Sequence, residues 1–184
     1  MSSNEVYTES VTETSSMSSL ALIAFARAIH ILAGVGWAGA AFVLANVVLP
    51  LAARHGREGA GRWMGMVAQH AGRMAGIAAM LTVLSGIYLF VVLHPNDTSS
   101  SGLVLMSGAA AALLSLAVGL FVNRPAGLRM QKLNSARAEG QSPPPEAQQE
   151  IASLMRRAQV GARVAAALLA LSVLAMATFR YVAF

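Results

Sequence analysis

A chain of 184 residues that is 56% hydrophobic and 11% charged, with a net charge of +5 and a mean hydropathy of +0.60, is too apolar for an ordinary soluble domain. The absence of cysteine excludes disulfides, thiolate metal sites, covalent haem attachment and iron–sulfur clusters. A pI of about 10.7 would suggest nucleic acid in a soluble protein, but here the bases flank apolar runs, where they set topology, and no nucleic-acid partner is expected.

Residues 1–19 are rich in Ser and Thr, carry Glu5, Glu9 and Glu13 with no Lys or Arg, and read as a disordered extracytoplasmic tail. Four stretches then reach the roughly 20 apolar residues that a ~30 Å hydrocarbon core requires. They cover about 20–53, 63–93, 103–123 and 160–184. Arg54, Arg57 and Arg62 follow the first span, and the basic segment 124–159 follows the third. The connection from His94 to Gly102 has no Lys or Arg. Positive-inside bias places both basic connections in the cytoplasm and both termini outside. The fold expected is therefore an all-α membrane protein, a four-transmembrane-helix bundle with N-terminus and C-terminus outside, its surroundings the lipid bilayer.

Small residues crowd the spans, as at Gly34, Gly36, Gly39, Gly72, Gly76 and Gly108, and they let membrane helices approach closely. Pro50 is placed to bend the end of the first helix, Pro95 to terminate the second, and Pro125 to kink or break the third ahead of a basic amphipathic extension. Residues 139–146, with three consecutive prolines, read as a linker, and 146–157 as a lead-in to the fourth span. No strand pattern is present.

The first span is interrupted only by Arg27, His30 and Asn46. An imidazole there is expensive unless it faces protein, water or a ligand, which makes His30 the leading candidate for a haem or metal ligand. The alternative is a neutral ring hydrogen-bonded to a neighbouring helix. A rise of ~1.5 Å per residue from the basic loop puts His30 and His70 about 24 Å apart along the membrane normal, which disfavours one haem held by both. Depth instead groups Arg27, His30, Trp37, Tyr88, His94 and Arg180 towards the outside, and His70 with Asn46 and Arg73 nearer the cytoplasm. Arg27 and Arg180 could snorkel to headgroups or hold cofactor propionates. His94 could cap its helix or ligate, and His70 could lie at the interface or ligate. Ten methionines suit copper(I) in principle, but none forms a Met-x-x-Met pair near an outer loop. No soluble-enzyme motif is present, and the spans contain no Asp or Glu, which argues against a carboxylate-driven pump.

The run Ala26-Arg-Ala-Ile-His30-Ile-Leu-Ala-Gly-Val-Gly-Trp37-Ala-Gly, with His55 at the other end of the helix, resembles the first helix of four-helix bacterial membrane proteins. This group includes the HemJ-type protoporphyrinogen oxidases, CopD-type copper-resistance proteins and related integral membrane families. Leu84-Ser-Gly-Ile-Tyr88, the basic run 124–140 and Thr178-Phe-Arg180-Tyr look like their later segments. The resemblance implies a bacterial inner-membrane location, haem b and redox chemistry. The third helix departs from the HemJ-type pattern, which begins it with His and a following Lys where this chain has Gly102-Leu-Val-Leu-Met-Ser107. Oxidase activity is not carried over. The expectation is a haem-b-binding or redox-associated membrane protein with His30 as ligand and His94, His70, Arg27, Arg180, Trp37 and Tyr88 around the cofactor. An accessory or assembly subunit docking on a membrane partner or a second copy is one alternative, and copper handling is another.

Overall fold

The computed structural model describes residues 3–55, 60–95, 97–136 and 144–182. Within them the chain forms helices α1 (Ser3–Val43), α2 (Leu49–His55), α3 (Ala60–Leu93), α4 (Ser100–Val118), α5 (Arg124–Ala136) and α6 (Pro145–Thr178), with no strand. Four stretches are long and apolar enough to span a bilayer, Met17–Arg54, Gly65–Leu93, Ser100–Leu133 and Pro145–Tyr181. Side chains such as Phe25, Leu32, Phe42, Ile77, Leu84 and Phe121 are exposed, an outward apolar surface that lipid rather than water accommodates. The protein is a multi-pass membrane helix bundle.

Several boundaries differ from the expectation. The backbone of the supposed disordered tail is helical from Ser3 onward and runs into the first span, because a nucleated helix extends at one hydrogen bond per residue. The third helix starts at Ser100 because Ser99 caps it, its Oγ accepting from Gly102 N at 3.1 Å. The fourth begins at Pro145, so the lead-in and the span form one continuous helix; a proline at the first helical position has no N–H to leave unpaired. Arg57, Arg137 and most of the Pro-rich linker lie outside the described residues, as does the side chain of His55.

Neither Pro50 nor Pro125 breaks its helix. Each is preceded by a π turn, Leu44–Val48 and Gly119–Asn123 respectively, beginning six residues before the proline. The cause is local. Proline has no N–H for the carbonyl four residues back, Asn46 or Phe121, and its ring would strike that oxygen. The helix widens to relieve the clash, and the N–H just before each proline reaches one residue further, Leu49 to Leu44 O and Arg124 to Gly119 O. The chain then continues as α2 and α5.

The helices pack as two antiparallel pairs, α1 with α3 and α4 with α6, joined where α1 meets α6. In the first pair His30 lies against Gly86 and Gly34 against Thr82; four residues forward on α1 match four back on α3. In the second, Gly108 lies against Ser172 and Gly161 against Asn123. Trp37, Ala79, Ala112 and Leu169, one from each of α1, α3, α4 and α6, form the buried centre. The short loop joins α3 to α4, yet these two are not among the closely packed pairs.

Candidate functional site

His30 Nδ1 lies 2.8 Å from the backbone oxygen of Thr82. A carbonyl only accepts, so Nδ1 carries the proton, and a neutral imidazole then has its lone pair at Nε2. Ser85 Oγ is 3.4 Å from the same Nδ1, but its own proton goes to Leu81 O at 2.6 Å, so Ser85 offers Nδ1 a second, longer acceptor. The Thr82 hydroxyl turns back to Ala78 O at 2.7 Å, keeping it out of the site.

Gly86 makes room for the ring. A methyl group there would stand 2.8 Å from His30 Cε1 and 3.1 Å from Nδ1, closer than carbon atoms tolerate. Gly34, one turn along α1, faces Thr82, its Cβ position being 3.6 Å from Thr82 Cγ2, an ordinary contact distance. The site is thus a glycine notch on α3 into which α1 delivers an imidazole, held at Nδ1 and, among the described residues, without a hydrogen-bond partner at Nε2. Sequence reasoning missed Thr82, Ser85 and Gly86. The signal was the pattern Thr82-x-x-Ser85-Gly86 in an apolar span: two hydroxyls one turn apart beside a residue with no side chain.

The other candidates are distributed around this notch. Arg27 is one turn from His30 on the same face of α1 and is exposed. Trp37, two turns the other way, is 7% exposed and belongs to the bundle core, about 10 Å along the helix from His30. Tyr88 is half-buried, and at two residues from Gly86 it lies off the face that meets α1. His94 ends α3 eight residues beyond Gly86, about 12 Å along the axis. There its ring stacks on Phe90 at 6.3 Å and meets the edge of Phe179 at 6.0 Å. The Arg180 guanidinium also sits over Phe179, 5.7 Å from the centroid. His94 and Arg180 therefore form a separate cluster that ties the end of α3 to the end of α6, with Phe90 and Phe179 as partners that sequence reasoning did not identify.

At the opposite, basic end, His70 and Arg73 are exposed. The α1–α3 register sets His70 opposite Asn46, sixteen residues from His30, or about 24 Å. The structure thus brings neither His70 nor His94 to His30. Among the described residues no three of His, Asp or Glu gather to hold a metal ion. At the loop end Asp97 accepts from Ser99 Oγ at 2.6 Å and Ser99 N at 3.0 Å. These bonds, the hydroxyl first, hold its carboxyl below the usual aspartate range, with a smaller contribution from His94.

No family model matches the chain, and no curated protein or solved structure matches it either.

Proposed function

We propose that this protein binds haem b within the bilayer through His30 and has a redox-associated role there. The reading rests on one observation: His30 Nδ1 donates to Thr82 O, which fixes the ring and leaves Nε2 as the lone-pair nitrogen. An orienting hydrogen bond of this kind is what a ligating histidine receives from its surroundings. Among the described residues His30 is the histidine that would hold the group, since neither His70 nor His94 lies at its level. Arg27, one turn away on the same face, would hold a propionate. Haem b would supply one-electron chemistry; the protein's own part is to hold the imidazole tautomer, neutralise the propionate and set the polarity around the ring.

The test is a reduced-minus-oxidised spectrum of protein purified in detergent after haem-replete expression. The expected result is a Soret and an α band in the wild type, both lost in His30→Ala. An unchanged spectrum in that variant, or no bands in the wild type, defeats the proposal.

A second reading, an accessory subunit of a larger membrane complex, has its own observation. Gly65, Gly72 and Gly76 share one face of α3, and nothing lies within 4 Å of the positions their Cβ atoms would take. Gly72 and Gly76 form a Gly-x-x-x-Gly pair of the kind on which membrane helices dock. Co-purification with a stoichiometric partner, lost in Gly72→Ile and accompanied by no cofactor, would favour this reading over the first.

A further inference from the structure

A groove of 770 Å3 runs between the end of α4 with its π turn and the face of α6 that leads out of the bilayer. Its walls are Val118 and Val122 on one side and Val160 and Val164 on the other, and Arg156 and Arg157 stand at its mouth. Gln149 and Ser153 continue the same face of α6 beyond the arginines. One helical face therefore changes from apolar to cationic to neutral polar within about four turns.

The two arginines differ from their neighbour Arg129. Its guanidinium is already spent on Glu150, with Nε 2.6 Å from Oε1 and the second nitrogen 3.2 Å from Oε2. Arg156 and Arg157 are exposed and have no ion-pair or hydrogen-bond partner among the described residues. Two unpaired guanidinium groups above a valine-lined slot match a molecule with an anionic head and an aliphatic tail. Guanidinium binds phosphate oxygens in pairs, and basic pockets between membrane helices suit anionic headgroups.

We propose that this groove is a binding site for an anionic glycerophospholipid, its phosphate held by Arg156 and Arg157 and one acyl chain lying between the valines of α4 and α6. The order of residues along α6 sets the orientation, tail towards the bilayer centre and head at the basic end. Gly161 on the floor keeps α6 close to Val122 and Asn123, so that the two valine walls face each other across one slot.

The test uses the full chain in detergent, with native mass spectrometry to count bound dioleoylphosphatidylglycerol against dioleoylphosphatidylcholine. The wild type should retain the anionic lipid preferentially. Arg156→Gln with Arg157→Gln should reduce that retention roughly 25-fold, on the usual contribution of two basic side chains at an anionic lipid surface. Arg156→Lys with Arg157→Lys should keep most of it. Val160→Trp, which fills the slot without changing charge, should also reduce it, and millimolar inorganic phosphate should not displace it. Equal retention of the two lipids overturns the proposal, as does an unaffected double Gln variant. Indifference to Val160→Trp would show that surface charge alone suffices, and displacement by phosphate would mark a site for free anions; either result overturns it as well. Circular dichroism of each variant separates loss of the site from loss of the fold.

Discussion

In the α1–α3 pair, Trp37 lies seven residues before a proline-driven π turn, and His30 clamps the two helices by donating to the Thr82 carbonyl. In the α4–α6 pair, Ala112 lies seven residues before the equivalent π turn, and Ser115 clamps the two helices by donating to the Ala165 carbonyl at 3.1 Å. The construction is shared, but the clamps differ in what they leave over. A serine hydroxyl has one proton, and once it is given to a buried carbonyl the group has done its work; Ser115 is 2% exposed. An imidazole that gives its Nδ1 proton keeps a second nitrogen. Counting back from the π turns, the position equivalent to His30 is Leu105, and in that pair Met176 packs by its Cγ 3.5 Å from the Cβ position of Gly108. Both pairs therefore use a glycine as a notch, but Gly108 receives the apolar side chains of Ala175 and Met176 where Gly86 receives an imidazole. The lesson is that a polar group buried in a membrane bundle is a functional candidate when its chemistry exceeds its structural task.

The largest expected effect comes from converting the first pair towards the second. His30→Leu should abolish any haem absorbance while leaving the helical content intact by circular dichroism; retained absorbance would place the ligand elsewhere. Gly86→Ala comes next. Its methyl group would collide with the His30 ring, and overpacking of this kind costs about 1–3 kcal/mol. Thermal unfolding in detergent should fall by that amount in Gly86→Ala but recover when His30→Ala is added, since the clash is between those two residues. Gly36→Ala, where a Cβ meets nothing, should stay within about 0.5 kcal/mol of the wild type.

Ser115→Ala should cost less, about 0.6 kcal/mol, the average for hydrogen bonds between helices in membranes, and should leave any absorbance untouched. A matching loss of absorbance would show that the two clamps are coupled. The smallest effect concerns Asp97. Because its folded carboxyl titrates below the ordinary value, its contribution to capping α4 is fully present above the unfolded pKa and disappears as pH falls through the lower folded one. The loss of stability below the usual aspartate range should therefore be slightly shallower in Asp97→Asn, which a pH series of unfolding curves would measure.

Much of the architecture was legible because span length, small-residue density and the basic loops are properties of composition and order. The depth argument that separated His30 from His70 also agrees with the register, in which His70 stands opposite Asn46. The site itself was only partly legible. His30 was conspicuous as an imidazole in an apolar run, but Gly86 looked like one more small residue among many, and Thr82 contributes only its backbone. Trp37 shares the depth of His30, which groups it with the site, whereas packing places it in the core. His94 and Arg180 were grouped by depth, yet each found an aromatic partner at the far end of the bundle.

Sequence alone determined that this is a membrane protein of four helical spans, since a ~30 Å apolar layer leaves a run of some twenty apolar residues little other choice. It also determined where the first and third helices must depart from regular α geometry, because a proline's missing N–H and its ring act on the carbonyl four residues back; that the departure takes the form of a π turn rather than a break belongs to the structure. Only the tertiary structure decided which nitrogen of His30 carries the proton and which valines face each other beneath Arg156 and Arg157. Both depend on the rotation and register of one helix against another, and those are set by the packing of small residues from distant parts of the chain.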